Sequence, residues 1–161
     1  MERLWAPWRM QYIGVEQPPG CLFCRVLADP DHDETNLVLA RPEGALVMLN
    51  KFPYNAGHAM VAPHAHVPSL ETLDDDQTLA LMRAVRRTLA VIREVMNPEG
   101  FNVGANIGRA AGAGIPDHAH LHVVPRWNGD TSFMPVLDDV KVINEALEQT
   151  ADKLRTAFEA S

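Results

Sequence analysis

Three of the seven histidines fall at alternate positions in His118-Ala-His120-Leu-His122, which runs on into Val123-Val-Pro-Arg-Trp127. Successive side chains of a β-strand point to opposite faces, so this spacing lines three imidazoles along one face. Ala119, Leu121 and Val123 then turn towards a core. Core packing gives no reason to set three semi-polar rings opposite so apolar a face. Imidazoles in a row suit two kinds of chemistry: transition-metal binding, or phosphate chemistry in which one ring nitrogen attacks phosphorus. Metal-hydrolase signatures add a carboxylate close by, as in His-Glu-x-x-His, whereas the neighbours here are Ala, Leu, Val and Pro. Phosphate is the stronger reading. A ring attacks only when it is neutral and its second nitrogen carries the proton, so an acceptor must lie behind the ring to fix the tautomer.

Other residues could join this chemistry. Cys21-x-x-Cys24 supplies half of a tetrahedral zinc site, with His66 and His118 as candidates for the other half. Two buried thiols are the alternative, and a thioredoxin-like redox pair lacks its strand-to-helix context. His58 follows a glycine between two strand candidates, and Asn50 reads either as turn chemistry before Pro53 or as a substrate contact. Gly104, Gly108, Gly112 and Gly114 fit no dinucleotide or Walker pattern and read as sites of close backbone approach to a ligand. Asn106 and Gly114 are accordingly expected at the substrate. Arg109 and Arg126 face either phosphate or the acidic surface, and Trp127 either stacks on a base or covers a partner subunit.

The elements that must position these groups are short. Asn36–Ala40, Ala45–Leu49 and His58–Ala62 are β-rich runs separated by Arg-Pro-Glu-Gly and Phe-Pro-Tyr-Asn-Ala-Gly, the turn chemistry of an antiparallel meander. Leu81, Val85, Leu89, Ile92 and Met96 then recur at helical spacing, with Asp74, Asp75 and Asp76 at the start and Asn97-Pro-Glu-Gly100 at the stop. Two more strands, Phe101–Ile107 and Ala119–Pro125, flank the Gly-rich loop, and a helix is expected from about Asn144 to Glu159. The order predicts an α+β fold with helices packed on one face of the sheet.

A chain of 161 residues makes one domain, divided into an arm (1–20), the sheet, long helix and active site (21–135) and a C-terminal helical tail (136–161). Trp5 and Trp8 in the Pro-punctuated arm are expected to pack on a partner subunit or across the sheet. Fourteen Lys and Arg against 21 Asp and Glu leave a net charge of −7, which argues against a nucleic-acid polymer as partner. The N-terminus lacks a signal-like apolar core, no run suits a membrane span, and two cysteines cannot form a secreted disulfide framework. The expected compartment is the cytoplasm.

The motif His118 to Val124 resembles the signature of the histidine triad (HIT) nucleotide hydrolases and transferases, His-φ-His-φ-His-φ-φ with φ apolar. Leu49-Asn-Lys-Phe-Pro-Tyr-Asn-Ala-Gly-His58 with Val61-Ala-Pro-His-Ala-His66 is similar to the family's second block. Trp5-Ala-Pro-Trp-Arg9, Cys21-Leu-Phe-Cys24 and Pro125-Arg-Trp-Asn-Gly-Asp-Thr-Ser-Phe-Met-Pro135 are similar to the branch containing diadenosine-tetraphosphate phosphorylases. The resemblance implies an antiparallel sheet of about five strands, one long and one C-terminal helix, a homodimer, and a covalent nucleotidyl-histidine intermediate formed from an adenine nucleotide. His120 would be the nucleophile, His122 would contact phosphate oxygens, His118 would support the ring behind, His58 would be the fourth active-site histidine, and Asn50 would contact ribose. It also favours zinc on Cys21, Cys24, His66 and His118, with His64 one position off the match. Gly112-Ala-Gly-Ile-Pro-Asp117 departs from the Ser, Thr or Gln that many members carry before the triad, which leaves water or phosphate as the acceptor.

Overall fold

Period-two alternation builds a two-sided sheet. In strand β2 (Ala45–Leu49), Ala45, Val47 and Leu49 join one buried cluster while Leu46 and Met48 join another. Strand β3 (Ala59–Pro63) splits in the same way, Ala59 and Val61 against Met60 and Ala62. The computed structural model describes residues 19–130 and 145–161. Trp5, Trp8 and the arm before residue 19 lie outside the described residues, as does the segment 131–144.

The sheet is antiparallel throughout, in the order β1-β2-β3-β5-β4, where β1 is Val38–Ala40, β4 is Gly100–Gly104 and β5 is Leu121–Arg126. Among the described residues three α-helices dress it: α1 (Leu22–Leu27), α2 (Asp75–Met96) and α3 (Leu147–Ala160). Helices α2 and α3 cover one face, with Leu81, Val85, Ile92, Leu154 and Phe158 buried against Val47, Val61, Leu121 and Val123. The helical repeat that marks α2 in the sequence is its buried stripe, in which Leu89 and Met96 are half-buried.

The start and stop of α2 are chemical. Asp74 accepts from the Gln77 amide (2.8 Å) while Gln77 accepts from the Asp74 amide (3.1 Å), a reciprocal cap of a kind worth about 1 kcal/mol. Asn97 ends the helix in the left-handed region and returns its N–H to Arg93 O (3.1 Å).

The other face departs from the one-sided packing expected. Phe23 and Val26 of α1 cover Val38, Leu46, Met48, Met60 and Ala62. This helix carries no sequence period because it spans only six residues. Arg41 holds its C-terminal end, donating to the main-chain oxygens of Val26 (2.7 Å) and Leu27 (3.3 Å) while also pairing with Asp33. The expected strands are shifted at their ends: β3 starts after His58, β4 stops at Gly104, and β5 starts at Leu121, so His118 and His120 precede it. The C-terminal helix likewise begins at Leu147 rather than near Asn144.

Candidate functional site

Alternation continues through the triad although only His122 lies inside β5. Leu121 and Val123 face α2, and the three histidines lie on the α1 face. His118 is 0% exposed and His120 4%. Their rings are each 5.0 Å from Phe23, and the His120 and His122 rings meet edge-on at 4.9 Å.

Main-chain groups fix the tautomers of His58, His118 and His120, and the ring of His58 passes the arrangement on to His122. His120 donates Nδ1–H to the His118 carbonyl at 2.9 Å, which leaves Nε2 as the lone-pair nitrogen. The amide of Tyr54 donates to Nδ1 of His58 at 3.0 Å, so His58 carries its proton on Nε2 and gives it to Nδ1 of His122 at 2.9 Å. His122 is left with its own proton on Nε2. One basic nitrogen and one N–H donor therefore stand on adjacent rings. Burial pushes His120 below its ordinary value, against the opposing effect of the His118 carbonyl. Burial, then the neighbouring His120, takes His122 down to about 4. Both rings are neutral at physiological pH, as nucleophilic attack requires.

The ring of His118 turns the other way. It donates Nε2–H to Pro63 O (2.9 Å), so Nδ1 faces Cys21 Sγ at 3.3 Å and Cys24 Sγ at 3.7 Å, and Cys24 Sγ in turn lies 3.2 Å from His66 Nδ1. The four donor atoms all lie within 4.8 Å of one another. Two thiols, two imidazoles and a second hydrogen bond that aims one of those rings form a donor set that fits zinc. His118 thus reaches His120 through its main-chain oxygen, not its ring. Burial, then the hydrogen bond and charge of Cys21, raises Cys24; a bound cation would reverse that direction, since ligating thiols ionise.

The remaining candidates are spread around this centre. Asn50 Oδ1 accepts from the Phe52 amide (2.9 Å), closing the turn that leads to His58. Asn106 is half-buried after β4, and Gly114 is exposed in the loop that Ile115 anchors beside α1. Trp127 is not brought to the triad of its own chain: it lies five residues beyond His122, roughly 16 Å at the rise of a strand. Its indole donates to Asn97 O (3.2 Å) at the end of α2. Arg126 is engaged by Asp130, Arg109 is exposed on a turn, His64 donates to Ala45 O (3.0 Å) outside the donor set, and exposed His32 pairs with Asp29.

Sequence reasoning missed Phe23 and Tyr54. Phe23 could have been found from a large apolar residue enclosed by two candidate ligands. Tyr54 contributes a ring packed against His58 (4.6 Å) and His122 (5.9 Å) and a main-chain amide, and for the amide side-chain identity carries no signal.

Comparison with known proteins bears on this geometry. Residues 32–129 match the HIT domain. The chain belongs to the HIT family. It is 39% identical to an AP-4-A phosphorylase of Mycobacterium tuberculosis over 98% of its own length and 85% of the relative's. Among solved structures, a zinc-bound histidine triad family protein from Mycobacterium smegmatis has a TM-score of 0.67 and 29% identity, covering 88% of this chain and 94% of that one. A hypothetical histidine triad nucleotide-binding protein from Sulfolobus tokodaii has a TM-score of 0.69 and 26% identity, covering 87% and 93%. As a HIT protein the chain is an enzyme of nucleotide hydrolysis or transfer. Among the described residues no helix is long and apolar enough to cross a membrane.

Proposed function

We propose that this HIT protein cleaves diadenosine polyphosphates, or related nucleoside phosphates, by two-step nucleotidyl transfer through His120. The observation that carries the reading is the hydrogen bond from His120 Nδ1–H to the His118 carbonyl, which leaves Nε2 basic in a neutral ring. Nε2 attacks the α-phosphorus, a phosphorus–nitrogen bond forms, and the bond from that phosphorus to the bridging oxygen of the leaving nucleotide breaks. His122 Nε2–H donates to a phosphate oxygen and offsets its growing charge. Water or inorganic phosphate then attacks the same phosphorus and restores free His120. Splitting the reaction in two avoids direct attack of water on an anionic phosphorus. The Mycobacterium tuberculosis relative supports the substrate class and the phosphate acceptor.

Cys21, Cys24, His66 and His118 would hold a structural zinc ion, whose bonds would tie α1 to the segment before β5 and take no part in the chemical steps. A homodimer is proposed on the β4 edge. That strand has no neighbour on its outer side among the described residues, and exposed Val103 and Ile107 lie on it or just beyond. Asn50, Asn106, Gly114 and Trp127 are proposed substrate contacts, Trp127 at the site of the partner subunit. Two free thiols within a metal-type donor set support a cytoplasmic setting.

The test is product analysis on diadenosine tetraphosphate with and without phosphate. AMP and ATP mark release to water, ADP and ATP mark release to phosphate, and failure to form either pair sinks the reading.

A further inference from the structure

Two residues of no assigned role, Asn55 and Asp130, join the block that holds His58 to the block that holds Trp127. Asn55 is 7% exposed, and its side-chain amide donates both to Pro125 O (3.0 Å) and to Asp130 Oδ2 (2.8 Å). The Asp130 side chain is itself only 7% exposed. Its carboxylate also accepts from Arg126 Nε (2.6 Å), Arg126 Nη2 (2.9 Å) and the Trp127 amide (3.2 Å). A carboxylate this buried is held in place by its donors, because losing one of them leaves its charge less fully compensated.

The other end of the clamp is the turn between β2 and β3. The main-chain oxygen of Asn55 accepts from the His58 amide (3.1 Å), and the His58 oxygen accepts from the Asn50 amide (2.9 Å). Gly57 closes the turn at φ +73°, where a Cβ would come within 2.6 Å of Met96 Sδ. Between the clamped Asn55 and the rest of this turn stands Tyr54, whose amide sets the His58 tautomer and, through it, that of His122.

We propose that Asn55 and Asp130 are positioning residues for the reaction: they fasten the turn to the end of β5 so that Tyr54 N–H meets His58 and the proton of His122 stays on Nε2. Asp130 lies well beyond His122 along the chain, so it acts on the site through other groups: through Asn55 on the turn, and through Arg126 and the Trp127 amide on the end of β5. The proposal rests on the reading of His122 as the phosphate donor.

The experiment compares full-length wild type with Asn55→Ala, with the milder Asp130→Asn, and with Thr88→Ala. Thr88 is a buried polar residue of α2 whose hydroxyl donates to Ala84 O, remote from the turn. Ring tautomers of His58 and His122 are read by long-range proton–nitrogen NMR, alongside kcat, KM and the thermal midpoint. Both clamp variants should show mixed His122 tautomers and lose roughly 10- to 100-fold in kcat with KM little changed. Thr88→Ala should lower the midpoint without either effect. A single Nε2–H tautomer of His122 in folded Asp130→Asn overturns the proposal, whatever happens to its rate. Mixed tautomers with unchanged kcat also overturn it, and locate the error in the role given to His122 rather than in the clamp.

Discussion

His118 and His120 are joined by a 2.9 Å hydrogen bond from the ring of the second to the main-chain oxygen of the first, while the ring of His118 points into the cysteine cluster. One residue thereby belongs to two sites. Its side chain serves the metal-type donor set, and its peptide group sets the proton on the attacking ring. Substitution at His118 deletes the ring from the donor set but leaves the carbonyl, so it is expected to damage stability directly and rate through displacement of that carbonyl.

His120→Ala should lose roughly three or more orders of magnitude in rate with little change in nucleotide affinity. Wild type quenched in alkali should carry a mass increment of one nucleotidyl group on His120, since a phosphorus–nitrogen bond is acid-labile and stable in base. His122→Ala should be slow but still form the adduct. An adduct mapped to another residue would falsify the mechanism.

Chelation should lower the melting temperature, and by more in wild type than in Cys21→Ser, because metal bound only by the folded chain adds its binding energy to folding. Elemental analysis of protein purified without chelator should find zinc. A chelator-insensitive melting curve would remove the site.

Phe23→Ala should cost about 3–5 kcal/mol, the usual range for deleting a buried phenyl ring. Phe23 also touches both the His118 and His120 rings, so the folded fraction of the variant should turn over more slowly than wild type. Denaturant titration combined with activity per folded molecule separates the two effects.

The sign of the acid response follows from His122. Its pKa in the folded chain is about 4 against an ordinary 6.5, so the unfolded chain binds the proton first. Stability is full above pH 6.5 and is lost as pH falls from 6.5 to about 4, by at most about 3 kcal/mol from this group. His118 and His120 are displaced the same way, so His122→Asn should shrink the loss in that window without abolishing it. A loss of equal size in His122→Asn would contradict the burial argument.

Val103→Asp should shift the protein towards monomer in sedimentation. Val103 is 45% exposed on the edge strand, where a charge opposes pairing with a second copy. Wild type that sediments as a monomer at high micromolar concentration would remove the dimer altogether.

Much of this architecture was legible in the sequence, and the unequal legibility has physical causes. The strand Ala45–Leu49 and the long helix are bounded by groups that act locally, namely turn residues, a capping Asp and an Asn tolerant of the left-handed region. The histidine row and the cysteine pair were visible because their chemistry resides in side chains at fixed spacing. Helix α1 was not, since six residues make fewer than two turns, too few for a repeat to show, and its position depends on contacts with β2 and β3. The proton arrangement was hidden for another reason: Tyr54, Pro63 and His118 all act on the histidines through their peptide groups.

That last feature bears on how such a site endures inheritance. A codon change at Tyr54 to anything but proline replaces the ring that packs on His58 and His122 but leaves the amide N–H that meets His58, and any codon change leaves the carbonyls of Pro63 and His118 in the chain. The main-chain part of the proton arrangement is consequently less open to drift than the side chains around it, and substrate preference can diversify around it. Only chemistry outside the genetic code, such as an ester in place of the Tyr54 amide, could delete that donor while leaving every side chain as it is.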